Sequence, residues 1–255
     1  MDMNDLDAVF LDIDGTLYDH QAGCVPPAHT EAVKALAAKG IRVCLCSGRC
    51  LPLLEDLGIL DLFAWDGIVA GNGAYVYDKD GTLVFSQPFS KEDSQRLFSL
   101  ARQRHIPVFA AGSCALVTFM NKDVEDLFEK VSIHDVPVRD PEPEDTFAVV
   151  SLVTTQPVDD FETESVKLLG NALSPDLMPR RLSKLVGIRK LMDHWGLHTF
   201  AAFGDNMNDY EMLVGADLGV AMGNSQPELL RRIPEHCPSV QEGGIAVWLK
   251  EHGII

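Results

Sequence analysis

The chain has 255 residues, of which 46% are hydrophobic, and it carries 21 Lys and Arg side chains against 38 Asp and Glu side chains. A chain of this length can form one large α/β domain, or a core domain with a smaller inserted one. The formal net charge of −17 repels nucleic acid and anionic membrane surfaces, so we expect neither as a partner. An anionic substrate would need local positive charge, which a metal ion can supply.

The sequence shows no feature of a secreted or membrane-spanning protein. It has no run of 18 uncharged apolar residues, and its first segment, MDMNDLDAVF, is acidic where a secretory signal would be basic. We therefore expect a cytoplasmic protein. The six cysteines are too sparse for a disulfide framework, and no C-x-x-C pair occurs. Cys44 and Cys46 are interpreted as small apolar residues of a buried strand.

Short apolar runs alternate with a helical pattern in the first third of the chain. Such runs are typical of strands buried in a parallel sheet, and the intervening helix predicts a crossover connection. That helix, at residues 26–39, has an apolar stripe and ends at Gly40. The predicted strands are residues 8–11, 41–46 and 67–70.

The middle of the chain has a different pattern. Apolar runs at 75–77 and 83–85 flank Asp80-Gly81, a pair typical of a hairpin turn. Residues 80–182 are interpreted as an α/β domain inserted into a core formed by residues 1–79 and 183–255. Within the insert the pattern predicts strands at 108–111, 115–119 and 147–153, and helices at 92–104, 123–130 and 160–169.

The alternation of strands and helices returns after the insert. A helix is predicted at 186–195, followed by Gly196, and a closing helix at 244–251. Between them lie apolar strands at 200–203 and 218–221. The two outer segments together predict a Rossmann-like parallel-sheet core of the α/β class.

Acidic residues follow two of the predicted core strands. Asp12 and Asp14 come directly after the first strand, and Asp205 follows the strand at 200–203. Because sites in open parallel sheets form outside the carboxyl ends of the strands, we expect these side chains to meet. A simple acidic turn explains Asp14-Gly15 alone, but not a second acidic motif, GDNMND at 204–209, in the same chain.

Carboxylates in this arrangement suit the hydrolysis of a phosphate monoester. A carboxylate can attack phosphorus and form an acyl phosphate, which water then cleaves. The attack brings two anions together, and unit charges about 4 Å apart repel by roughly 4 kcal/mol at an effective dielectric of about 20. A divalent cation cancels this repulsion, and Asp12 and Asp205 fit the one or two carboxylates that Mg²⁺ takes. Asp14 fits the carboxyl that gives the leaving group its proton.

Two weaker motifs bear on phosphate binding. Ser47 ends the second strand, and its hydroxyl with the Gly48 amide could hold phosphoryl oxygens, although an ordinary turn also explains Ser-Gly-Arg. Lys184 precedes a predicted helix and could screen Asp12 and the phosphoryl group, although a solvated lysine is the commoner case. Arg49 is a candidate substrate contact because it extends from the Ser-Gly-Arg motif.

In these motifs the chain resembles the haloacid dehalogenase superfamily, specifically its Cof-type branch of sugar-phosphatase-like hydrolases, over essentially its whole length. Members have a D-x-D-G-T-L signature, a Ser or Thr before Gly-Arg, a Lys before a helix, and G-D-x-x-N-D, in that order. The matching segments are residues 12–17, 47–49, 183–184 and 204–209, and residues 71–74 resemble the entry to the cap of this branch. Ser47 stands where Thr is commoner, and Leu185 where Gly is frequent.

The resemblance implies a haloacid dehalogenase-like core with an inserted α/β cap that closes the crevice and selects the substrate. It implies a nucleophile and metal ligand at Asp12, and an acid/base at Asp14 whose backbone carbonyl also binds the metal. It implies a further metal ligand at Asp205, supported by Asn208 and Asp209. The residues that it implies for phosphoryl or substrate binding are Ser47, Gly48, Arg49, Asn72 and Lys184, with Ser47 and Lys184 also acting in catalysis.

We therefore expect a Mg²⁺-dependent phosphatase that hydrolyses small phosphorylated metabolites, such as sugar phosphates, through an aspartyl-phosphate intermediate. The acid at position 14 disfavours the dehalogenases of the superfamily, because a halide leaving group needs no proton. A phosphomutase of the phosphomannomutase type stays open, since no residue excludes it. The third hypothesis is a non-catalytic metabolite-binding protein, which the presence of both Asp12 and Asp14 disfavours.

Overall fold

The computed structural model of the protein describes residues 6–169 and 174–255. The chain divides into two compact units, of which the first comprises Met1–Ser47, Ala64–Phe85 and Ser183–Ile255, and the second Gly48–Phe63 and Ser86–Leu182. Among the described residues, no helix has the length and apolar character needed to cross a membrane.

Strands and helices alternate through most of the described chain. In chain order the strands are β1 (Ala8–Leu11), β2 (Arg42–Cys46), β3 (Gly67–Ala70), β4 (Tyr75–Asp78), β5 (Leu83–Ser86), β6 (Val108–Gly112), β7 (Ala115–Val117), β8 (Phe147–Leu152), β9 (Val166–Leu169), β10 (Asp176–Pro179), β11 (Phe200–Gly204), β12 (Leu218–Met222) and β13 (Glu235–Cys237). The helices are α1 (Pro27–Ala38), α2 (Leu51–Asp56), α3 (Lys91–Gln103), α4 (Lys122–Lys130), α5 (Lys184–Trp195), α6 (Tyr210–Gly215), α7 (Pro227–Arg232) and α8 (Gly244–Glu251).

An eight-stranded sheet forms the frame of the first unit. Its strand order is β13-β12-β11-β1-β2-β3-β4-β5. The pairs from β13 to β3 are parallel, whereas β4 runs antiparallel to β3. All four residues of β1 are fully buried, as expected for a central strand with both faces covered. Leu11 is in register with Leu45 of β2 and Phe203 of β11, so the carboxyl ends of these three strands lie at one edge of the sheet.

Helix α5 packs closely against the segment that follows β3. A Cβ added to Gly187 would lie 2.8 Å from Gly73 Cα, so the contact depends on the absence of a side chain. The helix ends at Gly196, whose φ of 67° is the left-handed conformation typical of a helix C-terminus. Ile188 and Leu191 of α5 join the apolar core of the first unit, and this packing fixes the helix that begins at Lys184.

The second unit contains a five-stranded sheet of order β7-β6-β8-β10-β9, in which all pairs are antiparallel. One face of this sheet packs on α3, whose N-terminus is capped by Ser90 as its hydroxyl accepts a hydrogen bond from the Asp93 amide at 3.0 Å. The apolar core between them includes Leu97, Phe147 and Phe161. The predicted class, an α/β parallel-sheet core with an inserted α/β domain, is confirmed.

One predicted element of the insert is wrong. Residues 160–169 are predicted as a helix, but they form the end of a short 3₁₀ helix (Asp159–Phe161), a bend and then β9, which pairs with the unpredicted β10. The Thr163 hydroxyl accepts hydrogen bonds from the amides of Ser165 and Val166 at 3.2 and 3.0 Å. Such local side-chain bonds compete with a helix, and the strand is completed by pairing with β10, which a local pattern does not show.

The division into units differs from the predicted boundaries of 1–79, 80–182 and 183–255 at two places. Strand β5 extends the sheet of the first unit, because it pairs with β4 across the predicted hairpin. The segment Gly48–Phe63 groups with the second unit. One reason is that the Asp56 carboxylate accepts hydrogen bonds from the amides of His134 and Asp135 at 2.9 and 3.2 Å.

Candidate active site

The acidic residues predicted from the sequence lie together at the carboxyl edge of the sheet in the first unit. The Asp12 amide donates a hydrogen bond to the carbonyl oxygen of Phe203 at 3.0 Å, which carries the pairing of β1 with β11 one residue beyond the strand. Asp205 follows β11 directly. Ligand oxygens of Asp12, Asp205 and Asp209 lie within 4.8 Å of one another. The convergence expected from the strand order is therefore present.

A buried lysine joins two of these carboxylates. Lys184 Nζ donates to Asp12 Oδ1 at 2.5 Å and to Asp209 Oδ1 at 2.6 Å. The side chains of Lys184 and Asp209 are fully inaccessible to solvent. Burial lowers the pKa of Lys184, but the charges of Asp12 and Asp209 outweigh burial and raise it overall. The lysine is thus a fixed cation in the site, and the surface role considered from the sequence is excluded.

Asp209 organises the backbone around Asp205. Its Oδ2 accepts hydrogen bonds from the amides of Asp205 and Asn206, both at 3.0 Å, while its Oδ1 is bound by Lys184. A Cβ on Gly204 would lie 2.6 Å from the Asp209 Cβ, so only glycine allows this close approach. Both carboxylate oxygens of Asp209 are thereby used by protein donors, and this favours a supporting role over metal binding.

The cluster holds more negative than positive charge. Burial, with the charges of Asp209 and Asp14, raises the pKa of Asp12 to about 7 despite the opposing effect of Lys184. Burial and the charges of Asp12 and Asp209 raise the pKa of Asp205 to about 8. Three carboxylates around one ammonium therefore lack a full counter-charge. An all-oxygen donor set of this kind fits a hard divalent cation, for which Asp12 and Asp205 are the available side chains.

Asp14 stands on a loop that turns sharply after Asp12. Gly15 has a φ of 81°, and a Cβ there would collide with Oδ2 of Asp205. The Asp14 side chain is 37% exposed, and His20 Nε2 lies 2.7 Å from its Oδ1. The amides of Thr16 and Tyr18 both donate to the Ile13 carbonyl, at 3.1 and 2.8 Å, and hold the turn closed.

The remaining predicted residues divide between the two units. Ser47 is buried at the end of β2, and its carbonyl accepts a hydrogen bond from the Asn72 amide at 3.0 Å. Asn72 is buried with a left-handed φ of 53°, and its Oδ1 accepts from Asn208 Nδ2 at 3.0 Å. Gly48 and Arg49 belong to the second unit. The buried Arg49 guanidinium donates to the Val131 carbonyl there, a structural contact that the sequence did not indicate.

Two residues of the site were missed from the sequence. Asn224 follows β12, and its Nδ2 donates to the Gly15 carbonyl at 2.8 Å and lies 3.5 Å from Asp205 Oδ2. Its position two residues after the end of an apolar core strand was the signal that could have identified it. His20, in contact with Asp14, had no comparable signal, because a histidine in a loop is common and no metal-binding spacing surrounds it.

Comparison with known proteins identifies the family. The model of the haloacid dehalogenase-like hydrolases matches residues 9–249, and the chain belongs to this family. YkrA of Bacillus subtilis (strain 168), which carries the provisional name of a phosphatase, is 29% identical over 97% of this chain and 98% of its own length. A Yersinia pestis protein (strain Pestoides F) named HMP-PP phosphatase is 25% identical over 88% of this chain and 86% of its own length.

Solved structures share the fold over nearly the whole chain. The phosphatase BT1666 of Bacteroides thetaiotaomicron superposes with a TM-score of 0.84 at 24% identity, covering 99% of this chain and 97% of that one. The subclass IIB sugar phosphatase BT4131 superposes with a TM-score of 0.83 at 24% identity, covering 98% and 100%. The predicted family is confirmed by the family model, and the predicted fold by the solved structures. The relatives named as phosphatases confirm the enzyme class of a phosphoric monoester hydrolase.

Proposed function

We propose that the protein hydrolyses small phosphorylated metabolites, sugar phosphates or related small esters, with Mg²⁺ and through a phosphorylated Asp12. The observation that carries the proposal is the pairing of Asp12 with the buried Lys184 beside Asp205. A carboxylate that attacks phosphorus is repelled by the negative charge of the substrate, and this arrangement supplies both the carboxylate and a fixed positive charge beside it. The phosphatase names of YkrA and the Yersinia pestis relative agree with this activity.

The first half-reaction follows from the residues of the site. An Asp12 carboxylate oxygen attacks phosphorus as the ester oxygen leaves, and the Asp14 carboxyl gives that oxygen its proton. Lys184 offsets negative charge at Asp12 during the attack. In the second half-reaction Asp14 takes a proton from the water that cleaves the acyl phosphate and so returns to its starting form. Mg²⁺ held by Asp12, Asp205 and the Asp14 carbonyl would neutralise phosphoryl charge when bound.

The substrate-binding residues are proposed from their positions at the ends of the strands. Ser47 at the end of β2 is proposed to hold a phosphoryl oxygen, because it ends the strand next to the one that carries Asp12. Asn72, which follows β3, is proposed as a substrate contact, and its bond to Asn208 ties it to the acidic motif that begins at the end of β11. Gly48 and Arg49 as substrate contacts, and substrate selection by the inserted domain at 80–182, stay predictions.

A panel of sugar phosphates, nucleotides and other small esters tests the proposal. The purified protein should release phosphate in Mg²⁺ and lose this activity in EDTA. The Asp12→Asn variant should lose turnover while keeping the tryptophan fluorescence of the folded protein. Acid-quenched wild type should carry a phosphoryl group on the peptide that contains Asp12. Rearrangement of a sugar phosphate without release would replace the proposal with a mutase, and inactivity on all esters would favour a binding protein.

A further inference from the structure

The loop that follows Asp12 holds a histidine against the side chain of Asp14. His20 Nε2 lies 2.7 Å from Asp14 Oδ1, within the range of a strong hydrogen bond. The His20 ring is only 25% exposed, and it packs edge-on against Tyr18, with the ring centroids 5.1 Å apart. The contact therefore belongs to a packed part of the loop.

Hydrogen bonds that do not involve Asp14 hold this loop in place. The buried Asp19 side chain accepts hydrogen bonds from the Gln21 amide at 2.9 Å and from Gln241 Nε2 at 3.1 Å. The Asp19 amide donates to the Cys24 carbonyl at 3.0 Å, and the Gly23 amide donates to the Asp19 carbonyl at 2.8 Å. His20 follows an anchored residue, which restricts the movement of its ring.

A hydrogen bond to one oxygen of a carboxyl group influences which of the two oxygens carries the proton. A protonated carboxyl has a single O–H donor, and a ring N–H bonds preferentially to the carbonyl oxygen, which is the better acceptor, so the proton stays on the other oxygen. In the tautomer with its proton on Nε2, His20 donates to Asp14 Oδ1. The proton that Asp14 exchanges with the leaving group is then on Oδ2, and rotation of the carboxyl is suppressed.

We propose that His20 is a positioning residue for the acid/base Asp14, which holds the carboxyl so that Oδ2 faces the leaving oxygen. The proposal rests on the proposed function, in which Asp14 gives the leaving group its proton. In this role His20 contacts the Asp14 carboxyl and not the phosphoryl group. No part of the resemblance assigns a role to this position.

This role predicts a dependence on the leaving group. An alkyl ester needs a proton on its departing oxygen, whereas 4-nitrophenolate departs without one. The ratio kcat/KM covers the steps through departure of the leaving group and excludes the later cleavage of the acyl phosphate. Loss of the His20 donor should therefore lower kcat/KM for alkyl esters and spare 4-nitrophenyl phosphate.

The experiment compares three substitutions at position 20. His20→Phe keeps a ring against Tyr18 but has no donor, His20→Ala removes both, and His20→Gln keeps an N–H donor near the place of Nε2. The exposed His198, whose side chain is on the surface of the first unit, gives the matched control His198→Ala. Each variant is assayed with Mg²⁺ on the best alkyl ester of the panel and on 4-nitrophenyl phosphate.

We expect His20→Phe and His20→Ala to lose roughly 10- to 100-fold in kcat/KM on the alkyl ester, a part of the 10²–10⁴ that acid catalysis contributes. On 4-nitrophenyl phosphate the loss should stay below about 3-fold, and His20→Gln should recover most of the alkyl-ester activity. In an Asp14→Asn background the same substitutions should cost nothing more, because the two residues act as a unit. The His198→Ala variant should match wild type.

Equal losses on both esters, no loss on either, or failure of His20→Gln to recover activity would each overturn the positioning role while leaving the phosphatase intact. A purely structural role of His20 would give the equal losses, and comparison of His20→Phe with His20→Ala separates the donor from the ring. Wild-type protein that hydrolyses neither ester with Mg²⁺ would overturn the proposed function, and the role of His20 with it.

Discussion

The metal-free protein should lose stability as the pH rises from 5 to 8, because two carboxyl groups of the site have raised pKa values. The pKa of Asp12 is about 7 and that of Asp205 about 8, above the usual 3.8. Between pH 4 and pH 8 the folded protein therefore holds protons that the unfolded chain has released. Stability falls wherever the folded state binds more protons, so the free energy of unfolding decreases through this window.

The Asp205→Asn variant isolates the effect and gives its size. From pH 5 to the Asp205 pKa of about 8, folded Asp205 keeps a proton that the unfolded chain has lost, over about 3 pH units. At about 1.4 kcal/mol per unit, this lowers the free energy of unfolding by on the order of 4 kcal/mol. Between pH 5 and pH 8, the free energy of unfolding of wild type should therefore fall by this amount more than that of Asp205→Asn. His29 acts in the opposite direction, because burial lowers its pKa and its contribution to stability rises with pH. It is present in both proteins, so it cancels in the difference.

Urea unfolding followed by tryptophan fluorescence measures the effect in the first unit. All three tryptophans of the chain, Trp65, Trp195 and Trp248, belong to that unit. Trp248 also packs edge-on against Phe203, two residues before Asp205, at a centroid distance of 5.4 Å. Unfolding curves at pH 5, 6, 7 and 8 in EDTA give the pH dependence for each protein.

A divalent cation should reverse the trend in wild type. It binds the ionised carboxylates, so its affinity increases as they lose protons, and it stabilises the folded state in proportion. Saturating Mg²⁺ should raise wild-type stability most at pH 8 and should have little effect on Asp205→Asn. Equal pH dependence of the two proteins in EDTA would refute the argument that these carboxyl groups lack a counter-charge.

Two further substitutions test the geometry of the site. Lys184→Met should destabilise the first unit at pH 8 by about 3–5 kcal/mol, because it leaves the buried carboxylates of Asp12 and Asp209 without their counter-charge. The control Lys34→Met removes an exposed pair with Glu31 and should cost less than about 1 kcal/mol in the same urea assay. Gly15→Ala should lower phosphatase activity by about 100-fold, because its Cβ displaces Asp205. Gly81→Ala is the control, because Gly81 has a similar positive φ but open space around it, and this variant should keep near-full activity. An equal loss of activity in Gly81→Ala would attribute the loss to backbone strain and not to the displacement of Asp205.

The sequence alone was sufficient to predict the class of fold and the acidic residues that follow the core strands. The strands at 8–11 and 67–70 and the helix at 244–251 were predicted with the bounds that the structure has. Buried parallel strands are continuous apolar runs, and their topology places the residues that follow them at one edge, so Asp12 and Asp205 could be expected to meet. These signals are local or follow from a general rule of chain connection.

Contacts between distant segments were decided only by the tertiary structure. Lys184 lies 172 residues from Asp12 and 25 from Asp209, and only packing of α5 against the sheet shows that it is a buried cation and not a surface lysine. Strand β9 was predicted as a helix because its partner β10, seven residues further on, is what stabilises it. The contact of His20 with Asp14 depends on the position of the loop, which the bond from Gln241 to Asp19 helps to hold. These two residues are 222 positions apart, so no local sequence pattern predicts their bond.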